Sequence, residues 1–441
     1  MKSHPRRKGS LIMRTDASRL LAPRWGWTGL LTVTLTLLSY AVSARPPPSL
    51  ASPSPEPTWS TPSFASGAEV ATDGTQTLVV WRDGSRPGEL YAARVSKRGR
   101  LLDADALPLN PAPSVQAGAP AVSFDGRHFL VVWQSEHSLL LVRVSPEGAV
   151  LGAPLPIASI GGDPSSTPGI ACTWRKCLVA WSDFGDPRRI RGVLVNSQDT
   201  GTATRELTLA SDTRAHSSFG VPVAFSDGRF LVAWSDSRYG DTTPKLLATR
   251  VTCEGAVLDP GGFLVADAPG AQTWVDVVGT KQGFFLAWSD SRGGTASIFG
   301  TLVRSSGAVP DRDGFPLSQG ADDALPSLAY DGQRVLVTWT RLRPERYSLR
   351  GNLVRPEGTG ASPDGFPLSD GDFIRELDSD VLFQDGQYFM TYGAAPTIDE
   401  PPFQVILGTR LRTDGTRVDD PALRISHHPS VEDTALAPPT P

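Results

Sequence analysis

The amino-acid sequence predicts an all-β protein built from seven repeated units, and three observations lead to this prediction. The 441 residues include 43 glycines and 39 prolines, a composition typical of short strands joined by turns. Each unit contains four short apolar runs, separated by turn residues such as Asp-Gly. The second run of each unit ends in an aromatic residue, and these residues recur every 48 to 54 positions, at Trp81, Trp133, Trp181, Trp234, Trp288, Trp339 and Tyr392.

The elements of one unit follow in a fixed order. The first run leads into a turn, which contains Asp-Gly in five of the seven units and predicts a β-hairpin with the second run. The third run leads to another turn glycine, as Leu349 leads to Gly358 nine residues later. The fourth run is short, and the hexapeptide at 313–318 recurs unchanged at 364–369. Each unit therefore predicts four short antiparallel strands.

The second run of a unit is apolar at consecutive positions, as in 129–133 (FLVVW). Such a strand is buried on both faces, which happens when its sheet lies between two neighbouring sheets. Proline in several fourth runs suits an outer edge strand, because proline cannot donate a backbone hydrogen bond. We therefore expect a seven-bladed β-propeller of four-stranded antiparallel blades over 66–426. A chain of β-sandwich domains and a β-solenoid are the alternatives, and either 59–64 or 423–425 is expected to complete the last sheet.

The two ends of the chain are expected to lie outside this domain. Residues 1–44 have the pattern of an export signal, because a basic stretch precedes the apolar run 25–40 and the small residues at 42–44 suit cleavage. An uncleaved membrane anchor is the alternative. Residues 45–65 are expected to be a proline-rich disordered spacer, and 427–441 a disordered tail. The exported protein would be periplasmic, on the cell surface or extracellular.

The charge of the chain argues against nucleic acid as a partner. The full chain has a formal net charge of -4, and without 1–44 it has 35 basic and 45 acidic residues. A protein with this surplus of acidic groups lacks the basic surface that nucleic-acid binding requires. The membrane is expected to be a partner only through the N-terminal segment, if that segment is not cleaved.

Several motifs recur from unit to unit. Examples are a first run that begins at Pro222, the motif Trp-Ser-Asp-Ser-Arg at 234–238 and 288–292, and the turns at 145–148 and 413–415. On these motifs the chain resembles secreted bacterial β-propellers of the broad sialidase-like type, with degenerate Asp-box turns. The resemblance covers the whole repeat region and implies a propeller. It implies no sialidase activity, because the chain has neither a complete Asp-box nor an assignable Tyr and Glu nucleophile pair.

No cofactor is predicted. The six histidines have no metal-ligand spacing, and the sequence contains no phosphate loop or nucleophile elbow. Paired carboxylates such as Asp311 and Asp313, or Asp103 and Asp105, could hold Ca²⁺ in an exported protein. Capping of turns by these residues is the alternative that we favour.

Two classes of function are compatible with these observations. The first is a non-catalytic binding or scaffolding module for a protein or glycan in the cell envelope or extracellular space. The second is a carbohydrate-active hydrolase or lyase with a site in the central pocket, because two carboxylates from distant blades leave no local motif. Carboxylates and arginines clustered at the axis would favour the enzyme, whereas small and apolar residues there would favour the module.

Two of the three cysteines are expected to form a disulfide. At nine and four positions before the aromatic, other units carry aromatic pairs such as Phe124 and Phe129, and the third unit carries Cys172 and Cys177. These positions flank the first hairpin loop and lie opposite each other, where a Cα separation of about 4.5 to 5.5 Å allows a disulfide. Two buried free thiols are the alternative. Cys253 is left unpaired.

One end of the propeller is the expected ligand face. The connections between second and third strands and those between blades emerge on the same side, where an Asp and an Arg follow the aromatic in four units. The predicted ligand-binding residues are Asp83, Arg86, Asp183, Arg188, Asp236, Arg238, Asp290 and Arg292. The stretch from Asp183 to Arg292 would form an arginine-rich arc that suits acidic sugars or carboxylates. Trp274 and Tyr239 would add a stacking surface. The alternative is that each pair only braces its own loop or the adjacent blade.

Overall fold

A computed structural model of the chain describes residues 65–426, apart from 84–88, 111–116, 162–166, 175, 186, 197–202, 216–219, 240–242, 320–321, 363, 370–372 and 396–404. The predicted export signal 1–44, the tail 427–441, Arg86 and all but the last residue of the spacer 45–65 lie outside the described residues. Within the described ranges, no helix is long and apolar enough to cross a membrane.

The described secondary structure consists of strands and one 3-10 helix, Ser237–Tyr239, which confirms the all-β class. The first blade contains β1 (Ala65–Thr72), β2 (Gln76–Asp83), β3 (Glu89–Ser96) and β4 (Leu107–Pro108). The second contains β5 (Ala121–Phe124), β6 (Phe129–Ser135), β7 (Ser138–Val144) and β8 (Val150–Ser159). The third contains β9 (Gly169–Thr173), β10 (Lys176–Asp183), β11 (Arg189–Asn196) and β12 (Ala203–Ser211).

The remaining strands continue this order. The fourth blade contains β13 (Val223–Ser226), β14 (Arg229–Asp236), β15 (Lys245–Thr252) and β16 (Phe263–Ala266). The fifth contains β17 (Gln272–Thr280), β18 (Gly283–Asp290), β19 (Ser297–Arg304) and β20 (Phe315–Pro316). The last sheet contains β21 (Asp323–Tyr330), β22 (Val335–Arg343), β23 (Arg346–Val354), β24 (Phe366–Pro367), β25 (Arg375–Gln384), β26 (Gln387–Ala395), β27 (Val405–Leu411) and β28 (Leu423–Arg424).

The sheets surround a common axis, and the first strand of each four-strand unit lies innermost. These inner strands contact one another in chain order, from β1 through β5, β9, β13, β17 and β21 to β25, and β25 contacts β1. Consecutive strands of a unit pair antiparallel, so the chain runs outward from the axis within each unit. The architecture is a β-propeller. Because β28 pairs with β27, Leu423–Arg424 complete the last sheet, and the alternative segment 59–64 lies outside the described residues.

The predicted count of seven four-stranded blades is wrong. Among the described residues, five sheets are separate four-stranded blades, and β21–β28 form a single eight-stranded sheet. The join is a parallel pairing of Tyr347 in β23 with Arg375 in β25, and Tyr347 N donates a 2.9 Å hydrogen bond to Ile374 O. The two residues of β24 pair with Arg350 and Gly351, so the backbone of Tyr347 is left to pair with the chain that enters β25. The sequence repeat cannot predict such a join, since one residue pair outside the repeat pattern makes it.

The second strand of each unit is buried on both faces, as its apolar run predicts. Trp133 and Trp288, for example, have no exposed surface. Trp133 shares a hydrophobic core with Leu78 and Val80 of the preceding blade, so its burial depends on the neighbouring sheet. Burying a large apolar side chain contributes about 1.5–3 kcal/mol, and the repeated aromatic residues therefore hold adjacent sheets together.

Neighbouring sheets are also tied at their outer turns. Arg410 in β27 pairs with Asp419 at 2.5 Å and lies against Gly99 in the first blade, where a Cβ would come within 2.8 Å of the Arg410 Nε. Arg94 lies in the same way against Gly148, between the first and second blades. The glycines permit this close approach, which also forms part of the contact between the last and first sheets.

The predicted disulfide is present. Cys172 and Cys177 pair directly across the β9–β10 hairpin, with Cα atoms 4.0 Å apart and a sulfur–sulfur bond of 2.03 Å. They replace the aromatic pair found in other hairpins, such as Phe124 and Phe129, whose ring centroids are 4.9 Å apart. Cys253 is a free cysteine.

Thiol titration of the denatured, unreduced protein is expected to detect one thiol, that of Cys253. Denaturation exposes all three cysteines of the chain, but the two that pair across the hairpin cannot react until they are reduced. Reduction is expected to release two further thiols. Three thiols before reduction would show that the disulfide does not form in the purified protein.

Candidate functional site

Two of the predicted Asp and Arg pairs, Asp236 with Arg238 and Asp290 with Arg292, form ion pairs inside their own blades. Asp236 has no exposed surface and accepts hydrogen bonds from Trp234 Nε1 at 3.0 Å and Arg238 Nη2 at 2.7 Å. Its second oxygen accepts from the backbone nitrogens of Arg214 and Arg238. Burial raises the pKa of Asp236, but the hydrogen bonds from Arg238 and Trp234 outweigh burial and lower it. The carboxylate thus organises the loop after β14.

Asp290 has the same role in the fifth blade. It accepts hydrogen bonds from Trp288 Nε1 at 2.9 Å and from Arg292 Nε and Nη2 at 2.9 and 2.8 Å. The Arg292 guanidinium also lies 3.9 Å from the ring centroid of Phe299 and donates to Asp313 O at 2.6 Å. All of these partners belong to one blade.

The other predicted residues do not extend this arrangement into a common arc. Asp183 pairs with Arg191 at 3.4 Å rather than with Arg188, which is exposed. Asp83 is buried, and its expected partner Arg86 lies outside the described residues. The four Asp carboxylates are therefore turned away from solvent.

A further Asp–Arg ion pair has the Arg, rather than the Asp, two positions after the aromatic residue of its unit. Arg341, two positions after Trp339, donates from Nε and Nη2 to Asp323 at 2.8 and 3.0 Å. Asp323 comes from the first strand of the same unit and has no exposed surface. The Asp–Arg pair is thus present although the two residue types have exchanged positions. This favours a role in bracing the blade. The ligand-binding role of the predicted Asp and Arg residues stays a prediction.

The carboxylates considered for Ca²⁺ have other partners. Asp311 Oδ1 accepts hydrogen bonds from the backbone nitrogens of Asp313 and Gly314, both at 3.1 Å, and so caps a turn. Asp103 pairs with Arg94 at 2.6 Å. In the part of the chain that the structure describes, no group of three or more His, Cys, Asp or Glu residues could hold a metal ion.

The inner strands enclose a cavity of about 260 Å³ at the propeller axis. Its wall includes the residue twelve positions before the aromatic in every unit, namely Glu69, Ala121, Gly169, Pro222, Asp276, Ser327 and Asp380. These positions lie near the start of each unit, so the cavity is closer to the face from which the connections between blades emerge. This is the face that the sequence predicts to bind a ligand.

Carboxyl groups on one side of the cavity join inner strands of different sheets. Asp276 in β17 accepts a hydrogen bond from Leu328 N in β21 at 2.9 Å. Asp380 in β25 accepts hydrogen bonds from Val70 N in β1 at 2.8 Å and from Ser327 Oγ in β21 at 3.0 Å. These side chains therefore satisfy donors of the neighbouring inner strands.

The pKa values of these groups are raised. Burial, followed by the charge of Asp380, raises the pKa of Asp276 to about 7. Burial raises the pKa of Asp380 to about 6, although its hydrogen bonds act in the opposite direction. Burial and then repulsion from the neighbouring aspartates raise the pKa of Glu69 well above its usual value. No described residue hydrogen-bonds the Glu69 carboxyl, so no hydrogen bond opposes this rise in its pKa.

Trp274 lies on the wall of the same cavity, in a bulge of β17. Its φ of 51° is in the left-handed region, which bulky residues rarely adopt. Glycine occupies the matching position in two other units, at Gly67 and Gly220, but Leu325 and Asp378 share the conformation of Trp274. Backbone strain of this kind costs about 1–3 kcal/mol and is often found at functional sites, so Trp274 is a candidate binding residue.

The opposite side of the cavity is small and apolar, and includes Ala121, Val122, Gly169, Ile170 and Val223. None of the described residues that line the cavity is Arg, Lys or His. The described cavity wall thus has the carboxyl groups expected of an enzyme, without the arginines, and the small apolar residues expected of a binding module. The sequence analysis did not single out these carboxyl groups, because no local motif marks them. The signal that could have found Glu69, Asp276 and Asp380 is their common position, twelve residues before the aromatic of their unit.

Comparisons with known proteins do not identify a family. No protein-family model and no curated protein matches the chain. One similar solved structure is an alpha-L-arabinofuranosidase from Lactobacillus brevis, with 10% identity over 57% of this chain and 92% of that chain and a TM-score of 0.38. Another is AofleA from Arthrobotrys oligospora, with 10% identity, 84% and 89% coverage and a TM-score of 0.45. A subtype N10 neuraminidase-like protein of a little yellow-shouldered bat isolate has 13% identity, 82% and 95% coverage and a TM-score of 0.42. At these values the similarities assign no activity to this chain.

Proposed function

We propose that this protein is an exported, non-catalytic binding module that takes a glycan into its axial cavity. The observation that carries the proposal is the cavity wall, where carboxyl groups and Trp274 face a space of about 260 Å³. Carboxyl groups hydrogen-bond sugar hydroxyls, and an indole ring stacks on the apolar face of a sugar. The disulfide supports export, because such bonds persist in oxidising compartments.

The charge of the cavity favours a neutral or amine-bearing sugar over an acidic one. Among the described lining residues, four have carboxyl groups, namely Glu69, Asp276, Asp378 and Asp380, and none is basic. Wall carboxyl groups that are ionised would repel a carboxylate on the ligand, whereas hydroxyl and ammonium groups would find acceptors. The acidic sugars that the rim arginines suggest therefore do not suit this cavity.

A carbohydrate-active hydrolase is the second candidate, and one observation favours it. Glycoside hydrolysis uses two carboxyl groups, of which the acid has a raised pKa. Burial gives Glu69 such a pKa beside Asp380. However, oxygens of Asp276 and Asp380 already accept backbone hydrogen bonds from Leu328 and Val70, which indicates a structural role. We therefore favour binding without turnover.

Glycan binding is tested by passing neutral, amine-bearing and acidic oligosaccharides over the immobilised protein and assaying the eluate for new reducing ends. We expect retention of a neutral or amine-bearing glycan without cleavage. Retention of acidic glycans alone would contradict the assignment to the axial cavity. Release of reducing ends that stops in a Glu69→Gln variant would establish the hydrolase instead.

Trp274→Ala is expected to weaken the binding of a retained glycan by about tenfold or more, because the stacking surface in the cavity is lost. The matched control is Trp174→Ala, which removes an equally large side chain that is 68% exposed and lies outside the cavity wall. Titration of both variants with the same glycan gives the comparison. Equal affinities for the two variants would mean that the glycan binds elsewhere.

A further inference from the structure

We propose that the four carboxyl groups at the propeller axis act as a pH-sensitive lock on the ring. These axial carboxyl groups belong to Glu69, Asp276, Asp378 and Asp380. With their protons they allow the inner strands to pack closely around the axis. Without their protons they repel one another across the cavity and loosen the ring. Such a lock would operate whether or not a glycan binds.

Hydrogen bonds of the axial carboxyl groups cross from sheet to sheet. Asp276 connects the fifth blade to Leu328 N in the eight-stranded sheet. Asp380 connects that sheet to Val70 N in the first blade, across 310 positions of sequence. The second of these bonds spans the closure of the ring. Groups whose charge depends on pH therefore lie at the contacts that hold the ring together.

The closure between the last and first sheets depends on side-chain contacts. These sheets share no strand within the described ranges. Besides Asp380, the contacts include a 2.8 Å hydrogen bond from Gln384 Nε2 to Thr77 Oγ1 and an exposed ion pair between Lys97 and Asp385 at 3.0 Å. A closure of this kind is sensitive to repulsion at the axis, because no continuous strand ladder resists the separation of the two sheets.

Among the described residues that line the cavity, none carries a charge opposite to that of the axial carboxyl groups. The remaining units contribute uncharged residues at the equivalent positions, namely Ala121, Gly169, Pro222 and Ser327. Burial raises the pKa of Asp378, and Arg375 on the same strand acts against this, but Arg375 does not line the cavity. Each proton lost therefore adds a like charge to the same cavity.

The direction of the pH dependence follows from the raised pKa values. In the folded protein the pKa is about 7 for Asp276 and about 6 for Asp380. In an unfolded chain the pKa of Asp is about 3.9. The folded protein thus binds protons that the unfolded protein releases. The stability from this difference is fully present below about pH 4 and is lost as the pH rises to about 7. Asp236, whose pKa is lowered, titrates below that range.

Thermal unfolding of the purified protein between about pH 5 and pH 8 tests the lock. The wild-type Tm is expected to fall by about 5 °C over this range. Glu69→Gln keeps the shape of the side chain and removes its charge. We expect its Tm to equal the wild-type value at the acidic end and to exceed it by about 3 °C at the alkaline end. Because burial lowers the pKa of His128, this residue acts in the opposite direction, and the comparison of variants cancels its effect.

Two more variants make the result decisive. Asp378→Asn removes a second axial charge, and Asn tolerates the φ of 59° at this position, so it is expected to behave like Glu69→Gln. Glu357→Gln neutralises an exposed acid, and its Tm is expected to follow that of the wild type at every pH.

Amide hydrogen exchange gives a second measurement. The Val70 and Leu328 amides, with exchange corrected for intrinsic rates, are expected to lose protection with rising pH in the wild type and less so in Glu69→Gln.

Identical pH profiles of Tm for the wild type, Glu69→Gln and Asp378→Asn would overturn the proposal. A gain in Tm that is as large at pH 5 as at pH 8 would also overturn it, since the effect would then not depend on ionisation. If Glu69→Gln does not fold, the profile of Asp378→Asn decides between the two outcomes.

Discussion

Replacing Gly169 by Ala is expected to destabilise the protein by about 3 kcal/mol, although it adds a single methyl group. Gly169 begins β9 at the axis, and a Cβ there would lie 2.1 Å from Val221 O. The atom in the way belongs to the backbone that leads into the fourth blade, so no side-chain rotation relieves the clash. Overpacking costs about 1–3 kcal/mol, and the rigid partner places this case at the upper end.

Denaturant unfolding measures this effect, and Gly293→Ala is the matched control. Gly293 is exposed, and apart from its two chain neighbours no residue has an atom within 4 Å of the Cβ that would be added. We expect the control to change the free energy of unfolding by no more than about 0.5 kcal/mol. Equal stability of the two variants would refute the close approach of the third and fourth blades at the axis.

Arg292→Ala is expected to cost about 2 kcal/mol of stability and to leave glycan retention unchanged. The substitution removes the charged partner of Asp290, whose carboxylate has no exposed surface. Breaking a buried ion pair on one side costs about 3–5 kcal/mol, because an uncompensated charge stays buried. The Arg292 side chain is 22% exposed, so water already screens part of the interaction and the expected cost is smaller.

The control for this prediction is Arg188→Ala, which removes an exposed arginine from the same face. Its expected effect on the free energy of unfolding is within about 0.5 kcal/mol. Both variants are compared by urea unfolding and by retention of a glycan that the wild type retains. Loss of retention by an Arg292→Ala protein of undiminished stability would restore the arginines of the rim as ligand-binding residues.

Features that depend on nearby residues could be predicted from the sequence. The buried second strands follow from consecutive apolar residues, as in the run that ends at Trp133. The disulfide follows from the equivalence of Cys172 and Cys177 to aromatic pairs across other hairpins. In both cases the interacting residues are close in the chain and occupy positions that recur in every unit, so pattern and geometry coincide.

Other features required the tertiary structure. Seven sequence repeats do not form seven separate blades, because a single pairing of Tyr347 with Arg375 merges the last two units. Whether an Asp and an Arg face a ligand or each other also depends on side-chain directions, which the spacing of Asp290 and Arg292 does not specify.

The sequence by itself determined the all-β class, the order of strands within each unit and the disulfide, because strand periodicity and hairpin pairing act over about ten residues. Only the tertiary structure decided how the units join and which side chains meet at the axis. Asp380 and Val70 lie 310 positions apart, and Asp276 reaches Leu328 across a sheet boundary. Contacts of this kind arise from closing the ring, a constraint that acts on the whole chain at once and leaves no local pattern.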